Sequence, residues 1–345
     1  MTSFIELRSD NSAGVAPKIM AALAAANTGS ALAYGGDEWT ARLRDRVREV
    51  FEHPTAEVFP VVSGTAANAL SLAALCPPWG SVLCHESAHV LRSECAATSM
   101  FSGGGAIRGV PGESYRLTPE ALDEAFAATR WGDPHHSQPS VVSLTLPTDY
   151  GTIYSPVQVA ALTERARSRG LRAHVDGARI ANALDVLGCS PAELTWRVGV
   201  DVLSLGATKN GALSTDAIVC FDPAVSEQLV YRVKRAGHVA SKMRFQSVQL
   251  DAYLTDGRWL RLAHQANLTT AHLAAGLTRL GMELLVPPAV NMTFARVARE
   301  AAVRMEHAGL LFYGAGEGVI RLVTSFQTTE AEIDDALARI ETALS

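Results

Sequence analysis

Between about residues 55 and 221 the chain alternates short, β-branched apolar runs with longer Ala- and Leu-rich stretches. The runs at 56–62, 81–85, 106–110, 141–145, 172–176, 200–205 and 217–221 read as strands. Most of the stretches between them have helical length and can cover a sheet on both faces, as a mostly parallel sheet requires. The pattern predicts an α/β architecture around a mostly parallel seven-stranded sheet, with no internal repeat and no low-complexity linker. After Pro223 long helical stretches run to about Leu280, followed by short strands near 284–286, 291–295 and 319–324 and a final helix. The expected organisation is a large unit over 1–250, N-terminal segment included. A long helix and a smaller α+β unit fill 251–345. Pro287 and Pro288 punctuate the start of the smaller unit.

Length agrees with two units, because a single core seldom grows beyond about 250 to 300 residues and this chain has 345. It is 48% hydrophobic, 19% charged and 6% aromatic, and its net charge of −5 is spread rather than collected in runs. No basic patch suggests a nucleic-acid partner. Five cysteines, Cys76, Cys84, Cys95, Cys189 and Cys220, are odd in number and form no CxxC pair. Neither a disulfide framework nor a metal site is expected, and a reducing compartment fits best. Glu6, Arg8 and Asp10 stand where a secretion signal would be apolar, and no apolar run approaches the roughly 18 residues of a membrane span. The expectation is an unprocessed, soluble, cytoplasmic protein.

Three segments carry candidate chemistry. Ser63-Gly64-Thr65-Ala66 follows an apolar strand and opens a helix, which offers free backbone N–H groups and a positive dipole end to a phosphate. Read alone, the same residues are more often a simple N-cap. Ala173-His174-Val175-Asp176-Gly177 ends a strand in a carboxylate, and in open α/β sheets the carboxyl ends of strands face the ligand crevice. Ser204-Leu205-Gly206-Ala207-Thr208-Lys209-Asn210-Gly211 delivers a lysine just past another apolar strand, with glycines on both sides leaving room for a close-packed ligand. A lysine at a random position is usually a solvated surface charge. Together, a phosphate turn, a strand-end Asp and a strand-end Lys are the contacts that pyridoxal 5'-phosphate (PLP) asks of a protein. The lysine forms a Schiff base, and the carboxylate keeps the pyridine nitrogen protonated.

With Leu7-Arg8-Ser9-Asp10-Asn11, Ala33-Tyr34-Gly35-Gly36-Asp37, His89 to Glu94, Asp176-Gly177-Ala178-Arg179, Thr208-Lys209-Asn210-Gly211 and Arg235-Ala236-Gly237-His238 in place, the chain resembles the low-specificity threonine aldolases. These belong to the β-eliminating-lyase group of fold-type I PLP enzymes, whose large domain is aspartate aminotransferase-like. The branch it looks closest to also accepts phenylserine-like substrates. The resemblance implies that Lys209 holds PLP, that Asp176 meets the pyridine nitrogen, that Gly64 and Thr65 hold the phosphate, and that His89 stacks on the ring. It implies that Ser9, Arg179 and Arg321 hold the substrate carboxylate, with Arg179 also at the cofactor. An arginine inside the apolar strand around 319–324 is costly to leave unpaired, which supports a ligand role for Arg321 independently. His135, or its neighbour His136, matches a second histidine near the substrate hydroxyl. Tyr34, Lys234 and Arg235 correspond to groups that reach a neighbouring subunit's cofactor and substrate, which implies a homo-oligomer.

One stretch departs from the family: where many members carry a Glu-Asn-Thr-His-type run, this chain has Leu146-Pro147-Thr148-Asp149. The departure bears on side-chain preference rather than on cofactor chemistry. The implied reaction is cleavage of a β-hydroxy-α-amino acid to glycine and an aldehyde, with His89 or His135 suited by residue type to take the hydroxyl proton. Other PLP reactions on the same scaffold, such as amino transfer or elimination, use the same Lys and Asp. A catalytically silent PLP-fold protein would not need Lys209, Asp176, Arg179 and Arg321 together.

Overall fold

A computed structural model describes residues 4–345 of the chain. Twelve strands form among them: β1 (Ile5–Glu6), β2 (Glu57–Val61), β3 (Gly80–His85), β4 (Ala106–Val110), β5 (Gln138–Thr145), β6 (Arg172–Gly177), β7 (Val202–Leu205), β8 (Asp216–Cys220), β9 (Met292–Arg296), β10 (Leu310–Leu311), β11 (Tyr313–Gly314) and β12 (Val319–Val323). β2 to β8 are the seven strands expected from the alternating pattern. They make one sheet in the order β2-β8-β7-β6-β5-β3-β4, in which β8 alone runs against its neighbours.

The inner strands are apolar because both faces are covered. β7 is buried throughout and β6 at every position but Arg172. Val175, Leu203 and Val219 pack into the core on one face, and Val82, Val141, Val202 and Ile218 into the core on the other. The helix Gly64–Leu75 lies on the second face, started by Ser63, whose side chain accepts the N–H of Ala66. Among the described residues no helix is long and apolar enough to cross a membrane.

The helix Arg258–Arg279 continues from one core into the next: Trp259 and Ala263 pack with the large sheet, Leu273 and Leu277 with the C-terminal elements. There β9, β12 and β11 form a small antiparallel sheet backed by the helix Glu330–Leu344. The strand expected near 284–286 yields only an isolated bridge from Leu284 to Ala295, because the following Pro287 and Pro288 lack the N–H groups a ladder needs. The N-terminal segment holds an unexpected element, since β1 pairs in parallel with β10 and buries Ile5 and Leu7 in the C-terminal core.

Gly206 carries a different meaning from the one its sequence context suggests. It closes β7 against the end of β6, donating to the carbonyl of Gly177 at 3.1 Å. A Cβ there would lie 2.1 Å from the carbonyl oxygen of Ala178. The glycine therefore permits backbone to touch backbone three residues before Lys209, rather than making room for a ligand. Gly206→Ala is expected to cost about 3 kcal/mol, the upper end of overpacking effects because a rigid main chain cannot yield. Urea unfolding should show this as a lower midpoint, and an unchanged midpoint would mean that the two strand ends can separate freely.

Candidate functional site

At the carboxyl ends of β5, β6 and β7 opens a cavity of about 550 Å³. Its floor is made by the strand ends, one side by the Ser63-Gly64-Thr65 turn, and its cover by the N-terminal segment and the β11–β12 region. Eight of the residues singled out above line it: Ser9, Gly64, Thr65, His89, Asp176, Arg179, Lys209 and Arg321.

Lys209 sits on the single helical turn Thr208–Asn210 that follows β7. That turn is held by Asp216, at the start of the reversed strand β8, whose Oδ1 accepts the N–H groups of Ala207 and Thr208 at 2.7 and 3.0 Å. Asn210 is anchored by donating to Tyr253 and to the carbonyl of Trp259. The Lys209 amine itself has no hydrogen bond or ion pair among the described residues. The N–H groups of Gly64 and Thr65 likewise donate to nothing, as the first turn of a helix leaves them.

Asp176, buried at the end of β6, accepts the N–H of Ala178 with one oxygen and the amide of Asn68 with the other, at 3.1 and 2.9 Å. Asn68 also donates to Glu94 at 3.0 Å, so one amide bridges two carboxyl groups. Beneath Asp176, His174 is wholly buried between Ser143 on β5 and Ser204 on β7, at 2.9 and 3.0 Å. Burial pushes this imidazole down to about 4, so it is a neutral spacer at neutral pH.

The two arginines differ. Arg179 forms a two-point pair with Asp10, Nε to Oδ2 at 2.6 Å and a terminal nitrogen to Oδ1 at 2.9 Å. Burial works against the charge on Asp10, but the facing Arg179 guanidinium prevails and holds its carboxyl below the usual range. Two donors of Arg179 are thus already engaged within the protein. Arg321, on β12, donates one hydrogen bond to the carbonyl of Arg8 at 3.1 Å, and its buried Nε has no partner. Tyr313 lies under its guanidinium at 5.6 Å. Arg321 therefore brings unused donors to the cavity, and Ser9 lies on the same wall.

His89 opens a four-residue helical turn. Its Nε2 is 4.0 Å from Glu94 and its Nδ1 3.7 Å from Asp149. Beyond His89 and Asp149 a second cavity of about 810 Å³ adjoins the first. It is walled by Tyr115 and Tyr150, stacked at 3.6 Å, and by Phe294 against Tyr150 at 5.0 Å.

The other expected residues are not brought to this chain's cavity. His135 is exposed in the loop that precedes β5, at the amino end of the parallel strands. The intervening eight residues of extended chain span roughly 25 Å, so within one chain neither His135 nor His136 lines the cavity. Tyr34 and Arg235 are exposed and outside the cavity, Tyr34 lying under the Lys234 ammonium at 4.8 Å. Conversely, Asp10, Asn68, Asp149 and Asp216 help build the site without having been assigned a role. Pro147 and Asp149, from the stretch that departs from the family pattern, both line the cavity, while Leu146 points into the core.

This architecture is that of the fold-type I enzymes: an aspartate aminotransferase from Thermus thermophilus superposes with a TM-score of 0.69 at 16% identity, over 99% of this chain and 91% of that one. A threonine aldolase from Leishmania major superposes at 0.92 and 24% identity, over 98% and 99% of the two chains. The beta-eliminating lyase family model matches residues 6–300, and the chain belongs to that family. A low specificity L-threonine aldolase from Pseudomonas sp. (strain NCIMB 10558) is 40% identical over 99% of this chain and 98% of its own length.

Glu94 supplies a test of the site's electrostatics that does not depend on any ligand. Its carboxyl is pushed up to about 7 by burial, with Asp176 adding to the shift, and its Oε2 has no hydrogen-bond partner. A carboxyl that binds its proton more tightly in the folded chain than in the unfolded one makes stability fall as pH rises between the ordinary value of 4.5 and about 7. Glu94→Gln is expected to remove that fall, a change of roughly 3 kcal/mol across the window. Urea unfolding of the ligand-free chain at the two ends of the window reads it. Parallel pH slopes for the two proteins would show that Glu94 is ionised throughout.

Proposed function

We propose that the chain is a PLP-dependent lyase that cleaves the Cα–Cβ bond of threonine and related β-hydroxy-α-amino acids, yielding glycine and an aldehyde. The observation that carries this reading is the unpaired Lys209 amine in a cavity that also holds a fixed strand-end carboxylate and an arginine with unused donors. The residues fit the cofactor. Lys209 offers an amine to its aldehyde, Asp176 a carboxylate to its ring nitrogen, and the free N–H groups of Gly64 and Thr65 a cradle for its phosphate. Family membership and the Pseudomonas relative's name favour aldol cleavage over transfer or elimination on the same scaffold.

Bound there, PLP supplies an electron sink for the bond broken at Cα. The protein's own groups do the rest. Arg321 and Ser9 hold the substrate carboxylate, Arg321 by the planar pair of donors that suits it. Arg179, held by Asp10 through Nε and one terminal nitrogen, keeps its other terminal nitrogen free to join them at the carboxylate. Asp176 keeps a proton on the ring nitrogen, its orientation fixed by Asn68 and Ala178. His89 takes the β-hydroxyl proton as that oxygen becomes the aldehyde carbonyl. The adjoining cavity beyond His89 has room and aromatic walls for β-substituents larger than a methyl group, in keeping with phenylserine-like substrates.

The proposal includes a homo-oligomer. Tyr34, Lys234 and Arg235 are exposed and lie outside the lining of their own cavity, as groups serving a neighbouring subunit would.

Wild-type protein with PLP is expected to show the visible absorption of a lysine-bound cofactor and to release equal amounts of glycine and aldehyde from threonine, allo-threonine or phenylserine. Lys209→Ala should lose both properties. A keto acid in place of glycine would overturn the assignment. Arg321→Lys should keep the absorption band but raise KM for the amino acid about tenfold or more, as loss of a two-point carboxylate contact implies. An unchanged KM would move the carboxylate site elsewhere.

A further inference from the structure

Asp149 lies in the tight turn that follows β5 and separates the two cavities. The turn is built to hold it still. Thr148 donates to the carbonyl of Thr152 at 2.9 Å, the hydroxyls of the two threonines meet at 2.8 Å, and Thr152 donates onward to the carbonyl of Ser114. Oδ2 of Asp149 accepts the backbone N–H of His89 at 3.0 Å across 60 positions of sequence. The residue before His89 is Ala88, which has no side chain able to cap the short helical turn, so Asp149 caps it from another element.

Capping needs only one oxygen, and an asparagine would provide it without burying a charge beside other carboxylates. The second oxygen, Oδ1, has no hydrogen bond and faces Nδ1 of His89 at 3.7 Å. Burial and the neighbouring Asp176 push the Asp149 carboxyl up, His89, Arg179 and Lys209 oppose that shift, and the side chain stays 30% exposed. An acid at this place can put a negative charge beside Nδ1 of His89, which an amide cannot.

We propose that Asp149 is the positioning residue of His89, fixing the imidazole through the backbone with one oxygen and setting its tautomer with the other. Oδ1 favours the proton on Nδ1, which leaves Nε2 as the acceptor. This inference rests on the aldol reading above for its role in turnover. When the β-hydroxyl O–H bond breaks and an Nε2–H bond forms, the carboxylate stabilises the imidazolium without changing its own protonation. Delivery of the same proton to the carbon that has lost the aldehyde closes the balance. The charged groups facing this pair are Glu94 beside Nε2, Asp176 at the end of β6, Arg179 after it, and Lys209 after β7.

Asp149→Asn decides the matter because it keeps the cap oxygen and the shape while presenting an amide donor to Nδ1. The ring nitrogens of His89, read by nitrogen NMR on full-length, histidine-labelled protein with and without PLP, should shift from the Nδ1–H tautomer toward Nε2–H. The thermal midpoint, the cofactor absorption band and KM should hold, while kcat falls ~10²-fold or more. The low-pH limb of the kcat profile should change shape. Asp149→Glu, which restores the charge, should recover part of kcat. A wild-type kcat or tautomer in Asp149→Asn would overturn the proposal and leave Asp149 as a cap only. If wild-type protein with PLP cleaves no β-hydroxy amino acid, the aldol reading falls, and the tautomer measurement alone then judges the role of Asp149.

Discussion

Asp10 joins three parts of the chain that are otherwise remote. It pairs with Arg179, 169 positions away at the end of β6, and accepts the amide of Asn291, 281 positions away at the edge of the small sheet. Asn291 in turn donates to the carbonyl of Thr324, which follows β12. Two charges this buried are costly singly, and removing one partner of such a pair typically costs 3–5 kcal/mol. The cover of the cavity, built from the N-terminal segment and the C-terminal sheet, is thereby tied to the strand ends that form its floor. Ser9 and Arg321 owe their places to this link, Ser9 as the neighbour of Asp10 and Arg321 through its bond to the carbonyl of Arg8.

The sheet was largely legible from the chain because its strands are covered on both faces. A strand such as β7 must then be a short apolar run, and the residue that leaves it must enter the crevice. Asp176 and Lys209 could be read from that rule, with each lying just where an apolar run ends. The N-terminal strand β1 could not. Two residues have no periodicity, and their partner, β10, lies 305 positions away. Asp10, Asn68 and Asp149 were hidden for a related reason, since nothing local marks an acid or amide whose partner is brought close only by the fold. His135 shows the converse limit. Its residue type suits the chemistry, but β5 has a direction, and a loop before a parallel strand lies at the far end from its own chain's crevice.

The cavity collects carboxyl groups in excess of its cations. Asp10, Glu94, Asp149, Asp176 and Asp216 all approach it, against Lys209, Arg179 and Arg321. The chain answers each acid differently: Asp10 with a guanidinium, Asp216 with two backbone N–H groups, Asp176 and Glu94 with one shared amide, and Asp149 with the backbone of His89. Burial drives Glu94 toward its neutral form, which reduces the repulsion between it and Asp176. Below this layer His174 is kept neutral between two serine hydroxyls, so no positive charge competes from beneath for Asp176.

The reversed direction of β8 has a consequence for how the site comes together. Parallel neighbours such as β6 and β7 meet only after a crossover that spans the sheet, whereas β7 and β8 are antiparallel and joined by the turn that carries Lys209. Asp216 stands at the start of β8, so the acid that fixes the turn and the amine the turn presents lie seven positions apart in one hairpin. Closing so short a loop loses far less chain entropy than aligning the parallel strands. The reactive amine is therefore carried by the most local piece of the crevice, and the remote segments are what must be brought to it.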